Sequence, residues 1–207
     1  MSRNSLDAPS ACRKPVLFLD TDGIPAEEHR SGDTVRNLIE ATLIYQITLV
    51  MLALGVSPNA MVRHAVLVEL ERRSGRNSRS SDHRSKGIIS PYRAQLRVIR
   101  RMLRGDEAIN GSAVEVGTVD KYQGSDKDLI LLSWVRSNSL GKVGDLIQDK
   151  RRVNVALTRA KHKIIMIGSR RTLVQNELFA SCLTLLERND WVRCWCSSAR
   201  AVDGRSS

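Results

Sequence analysis
LILLSWV (129–135) is the stretch that decides the architecture. Six of its seven residues are apolar and run without alternation. A strand with one wet face alternates apolar and polar residues, whereas a strand apolar at nearly every position is covered on both faces, as inside a parallel sheet. KIIMIGS (163–169) reads the same way, and PVLFLD (15–20) and GIIS (87–90) are shorter runs of that kind. VEVGTVD (114–120) alternates and then meets a polar turn.

Helical stretches lie between these runs. Asp33 or Thr34 is expected to cap a helix reaching Leu54, with Gly55 as its stop. Residues 59–73 form a second, weakly amphipathic candidate. Pro91 and Gly105 suit the two ends of PYRAQLRVIRRMLRG, where Leu96, Ile99, Met102 and Leu103 make the buried stripe and five arginines mostly make the opposite one. In RRVNVALTRAKHK (151–163), Arg152 and Arg159 stand about two turns apart, so the spacing predicts that both leave one side of a helix. Ala156 and Ala160 would let that helix pack close. A last helix is expected over 171–189. Strands alternating with helices predict an α/β domain with a mainly parallel sheet flanked by helices.

The chain has 207 residues, 42% hydrophobic and 4% aromatic, with a formal net charge of +11. Residues 61–104 concentrate that charge, with twelve Arg or Lys against three acids. Such a balance favours an acidic partner, nucleic acid first and anionic membrane second. Cys12, Cys182, Cys194 and Cys196 have no zinc or disulfide spacing, and reduced thiols are expected. ATLIYQITLVMLALGV (41–56) falls short of the roughly 20 residues of a membrane span and carries Gln46, so a buried helix is expected and no membrane partner. The expected organisation is an unstructured start (1–14), one domain over 15–195 with a basic Ser/Arg-rich insertion at about 61–86, and an unstructured tail (196–207).

In parallel sheets, functional groups gather at the carboxyl ends of the strands. Three loops qualify. SPYRAQ offers Tyr92, the Arg93 fork, and Gln95 as donor and acceptor. TVDKYQGSDKD crowds Thr118, Lys121, Gln123, Gly124 and Asp126 into one turn; Gly124 admits close backbone approach, and Asp126 suits a ribose hydroxyl. RRVNVALTRA supplies Arg152, Asn154, Thr158 and Arg159, and an arginine aimed at a transferring phosphoryl group stabilises its developing charge.

GIISPYRAQ, TVDKYQGSDKDLILLSWVRSN and RRVNVALTRAKHKIIMIG resemble motifs IV, V and VI of superfamily 1 helicases. In order and spacing they are similar to the second RecA-like motor domain of the group that holds the nonsense-decay RNA helicase and the DNA replication helicase/nuclease. The resemblance covers about residues 15–60 and 87–175. It implies a RecA-like P-loop NTPase fold, ATP with Mg2+ shared with a first motor domain, single-stranded DNA (or RNA) as partner, 5'-3' helicase activity, and residence in the nucleus, with the mitochondrion as a second compartment. On this chain it implies that Arg93 and Arg159 reach the γ-phosphate, and that Gln123, Gly124, Asp126 and Arg152 contact nucleotide. Tyr92, Thr118 and Lys121 fall beside the nucleic-acid backbone.

A motor also needs a G-x-x-x-x-G-K-[ST] phosphate loop and a magnesium-holding acid after a strand. Neither is found; Gly141-Lys142-Val143 lacks the upstream glycine and the hydroxyl residue. In this family both belong to the first motor domain. The family's iron–sulfur cysteines and nuclease carboxylates are likewise not found. The chain alone is therefore expected to be inactive as an ATPase, and to be half a motor. The alternatives are a non-catalytic basic nucleic-acid-binding or regulatory module, and a piece of an RNA helicase.

Overall fold
A computed structural model describes residues 15–53, 85–106, 109 and 114–195. Six strands run parallel in one sheet: β1 (Val16–Asp20), β4 (Lys86–Ile89), β5 (Val114–Gly117), β6 (Lys127–Ser133), β7 (Ala160–Gly168) and β8 (Val192–Cys194). Their order is β5-β4-β6-β7-β1-β8. β6 and β7 pair from Lys127 opposite Ala160 to Ser133 opposite Ile167, which puts the apolar runs in the middle.

Side chains alternate across each strand, so an unbroken apolar run covers two faces. One face carries Leu17, Leu19, Ile88, Leu129, Leu131, Ile165 and Ile167 against α1 (Leu38–Ala53) and α2 (Arg93–Arg104). The other carries Phe18, Ile89, Ile130, Leu132, Ile164 and Met166 against α4 (Lys150–Leu157) and α6 (Glu177–Arg188). There Trp134 and Phe179 meet edge to face, with ring centroids 4.6 Å apart. This is the RecA-like α/β arrangement that the resemblance implies.

Several boundaries differ from expectation. Asp33 and Thr34 do not cap α1; they belong to a hairpin, β2 (His29–Ser31) and β3 (Thr34–Arg36), turned by Gly32. Asn37 is the cap, its Oδ1 accepting from Glu40 N at 3.0 Å. Pro91 precedes α2 rather than opening it, and Tyr92 holds the boundary position. Within the loop 137–149 a short helix forms, α3 (Asp145–Gln148). The helix expected over 171–189 is two, α5 (Arg170–Leu173) and α6, because Asn176 starts a new helix by accepting from Leu178 N and Phe179 N. β8 had no apolar run to announce it.

The expected unstructured ends, the helix over 59–73, the stop at Gly55, and the insertion apart from Ser85 and Lys86 lie outside the described residues. No helix among the described residues is long and apolar enough to cross a membrane.

Candidate functional site
The link from β5 to β6 crosses from the carboxyl edge of the sheet to its amino edge. It passes over β4 through a 3-10 turn, Asp120–Tyr122, whose Tyr122 ring is wholly buried. Gly87 makes room, since a Cβ there would stand 2.8 Å from the Tyr122 hydroxyl. Consequently the candidate residues of this link separate. Thr118 follows β5 at the carboxyl edge. Lys121 sits on the turn, paired with Glu115 at 3.0 Å. Gln123 and Gly124 are exposed on the descent, and Asp126 arrives at the amino edge beside β7.

Arg159 waits there, off the helix that spacing predicted for it. Thr158 ends α4, its hydroxyl turned back to Asn154 O at 2.9 Å, and Ala160 already begins β7. Only Arg152 stays on α4, near Asp120 at 3.4 Å, while Asp149 caps that helix. Arg159 is held at three points: Nε donates to Val155 O at 3.1 Å, Nη1 to Asp126 Oδ1 at 2.8 Å and Nη2 to Thr158 Oγ1 at 3.1 Å. Lys127 N also donates to Arg159 O at 2.9 Å, which locks the two segments. The pair is partly exposed, so it contributes little to stability. Its consequence is geometric. A guanidinium has five N–H donors, and three bonds leave two pointing onward from a fixed side chain. Gly124, at φ 79, has no atom within 4 Å of where a Cβ would be, so a ligand can approach the backbone. A phosphate edge fits this donor set.

Arg93 does not join Arg159. It opens α2, on the layer opposite α4 and at the other end of the strands, more than roughly 16 Å along the sheet by the rise of an extended chain. The three loops expected on one edge therefore divide: SPYRAQ, Thr118 and the turn after β6 lie at the carboxyl edge, while Asp126 and Arg159 lie at the amino edge. Gln95, read as a ligand group, is buried and engaged; its Oε1 accepts from Asn37 N at 2.8 Å, and its Nε2 donates to Asn37 O and Ser133 Oγ. Tyr92 is also buried, its hydroxyl accepting from Arg136 Nη1 at 3.4 Å.

A polar network at the carboxyl edge includes Ser133, Val135 and Arg136 of the second quoted motif, to which sequence alone assigns no role. Arg136 N donates to Trp134 O at 2.8 Å, closing a γ-turn on Val135 at φ 72. A β-branched residue in the left-handed region carries strain of roughly 1–3 kcal/mol and must be held there. Glu40 accepts from Val135 N at 2.9 Å and from Ser133 Oγ at 2.6 Å. Burial pushes the Glu40 carboxyl up to about 8, although those two bonds oppose the rise. The turn sends Arg136 inward to Glu28 at 2.8 Å, with both side chains nearly covered. Beside them is a cleft of about 340 Å³ lined by Tyr92, Arg136, Arg30, Lys142, Asp33 and Asp145 among others. The available signal was an arginine directly after the apolar run, where a strand ends.

Among known proteins, a family model described as an AAA domain matches residues 2–171. The chain is 45% identical over 159 residues to the DNA replication ATP-dependent helicase/nuclease of Xenopus tropicalis, covering 77% of this chain and 12% of that protein. For its Homo sapiens counterpart the figures are 43% over 154 residues, 74% and 12%. For that of Schizosaccharomyces pombe they are 37% over 177 residues, 86% and 10%. The chain thus spans about 12% or less of these relatives' length.

Proposed function
The chain belongs to the AAA-domain family, as part of a superfamily 1 helicase similar to the DNA replication helicase/nucleases, and from that premise we propose that it serves as the second motor half of an ATP-dependent 5'-3' DNA helicase. The observation that carries this reading is the Asp126–Arg159 pair, with two guanidinium N–H groups left unspent. ATP with Mg2+, held between this chain and a first motor domain, would supply a γ-phosphoryl group that passes to water and leaves ADP. Arg159 then faces the γ-phosphate and stabilises charge as it develops there. Asp126 orients Arg159 through Oδ1 and keeps Oδ2 for a ribose hydroxyl. Gln123 and Gly124 border the same edge, and Arg152 braces the turn through Asp120.

Arg93, on the opposite layer, has no part in that contact. Thr118 at the carboxyl edge and Lys121 on the adjoining turn are proposed to meet the single strand, whereas Tyr92, buried, supports that edge through Arg136. The replication role named in the relatives supports a proposed residence in the nucleus. A second reading, a basic module that grips nucleic acid without catalysis, draws on the net charge of +11.

One experiment separates the two readings. In a chimaera, this chain replaces the matching segment of the human relative, and ATP turnover is followed with and without single-stranded DNA. DNA-stimulated turnover is expected. A folded chimaera that binds DNA yet does not turn over ATP would favour the second reading.

A further inference from the structure
On the α1/α2 layer, away from Asp126 and Arg159, the β2–β3 hairpin leans on α2 and encloses a groove of about 330 Å³. Arg36 and His29 from the hairpin and Arg97 and Arg101 from α2 line it, together with Ser31 and Thr34. Among the described residues no carboxylate lines it. Arg36, Arg97 and Arg101 are exposed, and their side chains make no hydrogen bond or ion pair with other described residues. Arg93 stands one turn before Arg97, so three cations follow one another along the helix at about 6 Å intervals.

Like charges four residues apart weaken a helix. An ordinary solvated face relieves this with interleaved acids. Here a separate element brings more positive charge instead, and shapes it into a concave surface. Stepped cations along an open groove match a chain of regularly repeated anions better than a single phosphate, which calls for donors converging on one point. An acidic peptide would want apolar anchor sites, and the apolar groups lining this groove are the modest Ala94 and Val98.

We propose that the groove between the β2–β3 hairpin and α2 is a second nucleic-acid site, gripping the phosphodiester backbone of one strand through Arg36, Arg97 and Arg101. It rests on charge and shape, and it holds whether or not the chain completes an ATP site.

The test uses the full 207-residue chain and a labelled oligothymidylate, with binding followed by anisotropy between about 50 and 200 mM salt. The R97Q/R101Q double variant is expected to bind more weakly. Its slope of log affinity against log salt should be reduced by about 1.4, which is about 0.7 for each single-strand phosphate no longer neutralised. R36Q, on the other element, should reduce it by about 0.7. All three positions are exposed, and unchanged circular dichroism and melting identify the folded variants; should the double variant not fold, R36Q decides alone. Unchanged affinity and slope in a folded variant would overturn the proposal. So would loss of poly-glutamate binding with oligothymidylate binding intact, which would make the groove a peptide site.

Discussion

Two sets of arginines in this domain are held differently. Arg159 is fixed by a helix carbonyl, a carboxylate and a hydroxyl, and Arg136 is sealed against Glu28. Arg97 and Arg101 project from α2 with no partner among the described residues. Fixed guanidinium groups suit chemistry in which position decides the outcome, because preorganised charge costs no reorganisation at the moment of reaction. Unfixed ones suit a polyanion, where long-range attraction and counterion release dominate and position matters less. The same residue type thus does two kinds of work, and the difference lies in the surrounding hydrogen bonds.

The largest stability effect should come from breaking a fixed arginine. Arg136→Ala leaves the Glu28 carboxylate buried without its cation, at an expected cost of roughly 3 kcal/mol or more. Urea unfolding measures it, and a cost below about 1 kcal/mol would show that the pair is not sealed.

The acids sharpen the same contrast. Glu40 is wholly buried and its carboxyl is pushed up to about 8, from an ordinary value near 4.5. Between those values the folded chain keeps this proton while the unfolded chain has lost it. Stability from this group therefore falls as pH rises from about 4.5 to about 8 and is level above, a loss on the order of a few kcal/mol. Glu40→Gln should flatten that part of the pH profile of urea midpoints; an unaltered profile would mean that Glu40 is ionised throughout.

The smallest effect belongs to the free set. Arg97→Ala should change stability by no more than about 0.5 kcal/mol in the same urea assay. A larger loss would reveal a packing role for that side chain.

Much of this was legible in advance, for physical reasons. Strands buried on both faces leave unbroken apolar runs, so LILLSWV and KIIMIGS read correctly, and motif order carried the fold. Short polar elements leave no such trace. β2 and β3 are three residues each and expose most of them, too short for alternation to mark them, and Ser31-Gly32-Asp33 reads as the approach to a helix rather than as a hairpin turn. β8 is three residues at a sheet edge. Helical spacing places Arg159 beside Arg152, but a β-branched Thr158, bonded back to Asn154, closes the helix one residue earlier. Pairing Arg93 with Arg159 fails because order along the chain does not say which layer a helix takes. The Glu40 and Arg136 network is invisible in sequence because its members are about a hundred residues apart.

The central claim is that Arg159 is held in place to meet a nucleotide phosphate. It is tested most directly by ATP turnover of the chimaera carrying Arg159→Ala, with single-stranded DNA binding measured on the same sample. Turnover is predicted to fall by ~10³-fold or more while DNA binding stays unchanged. Turnover within a few-fold of the unsubstituted chimaera would contradict the claim.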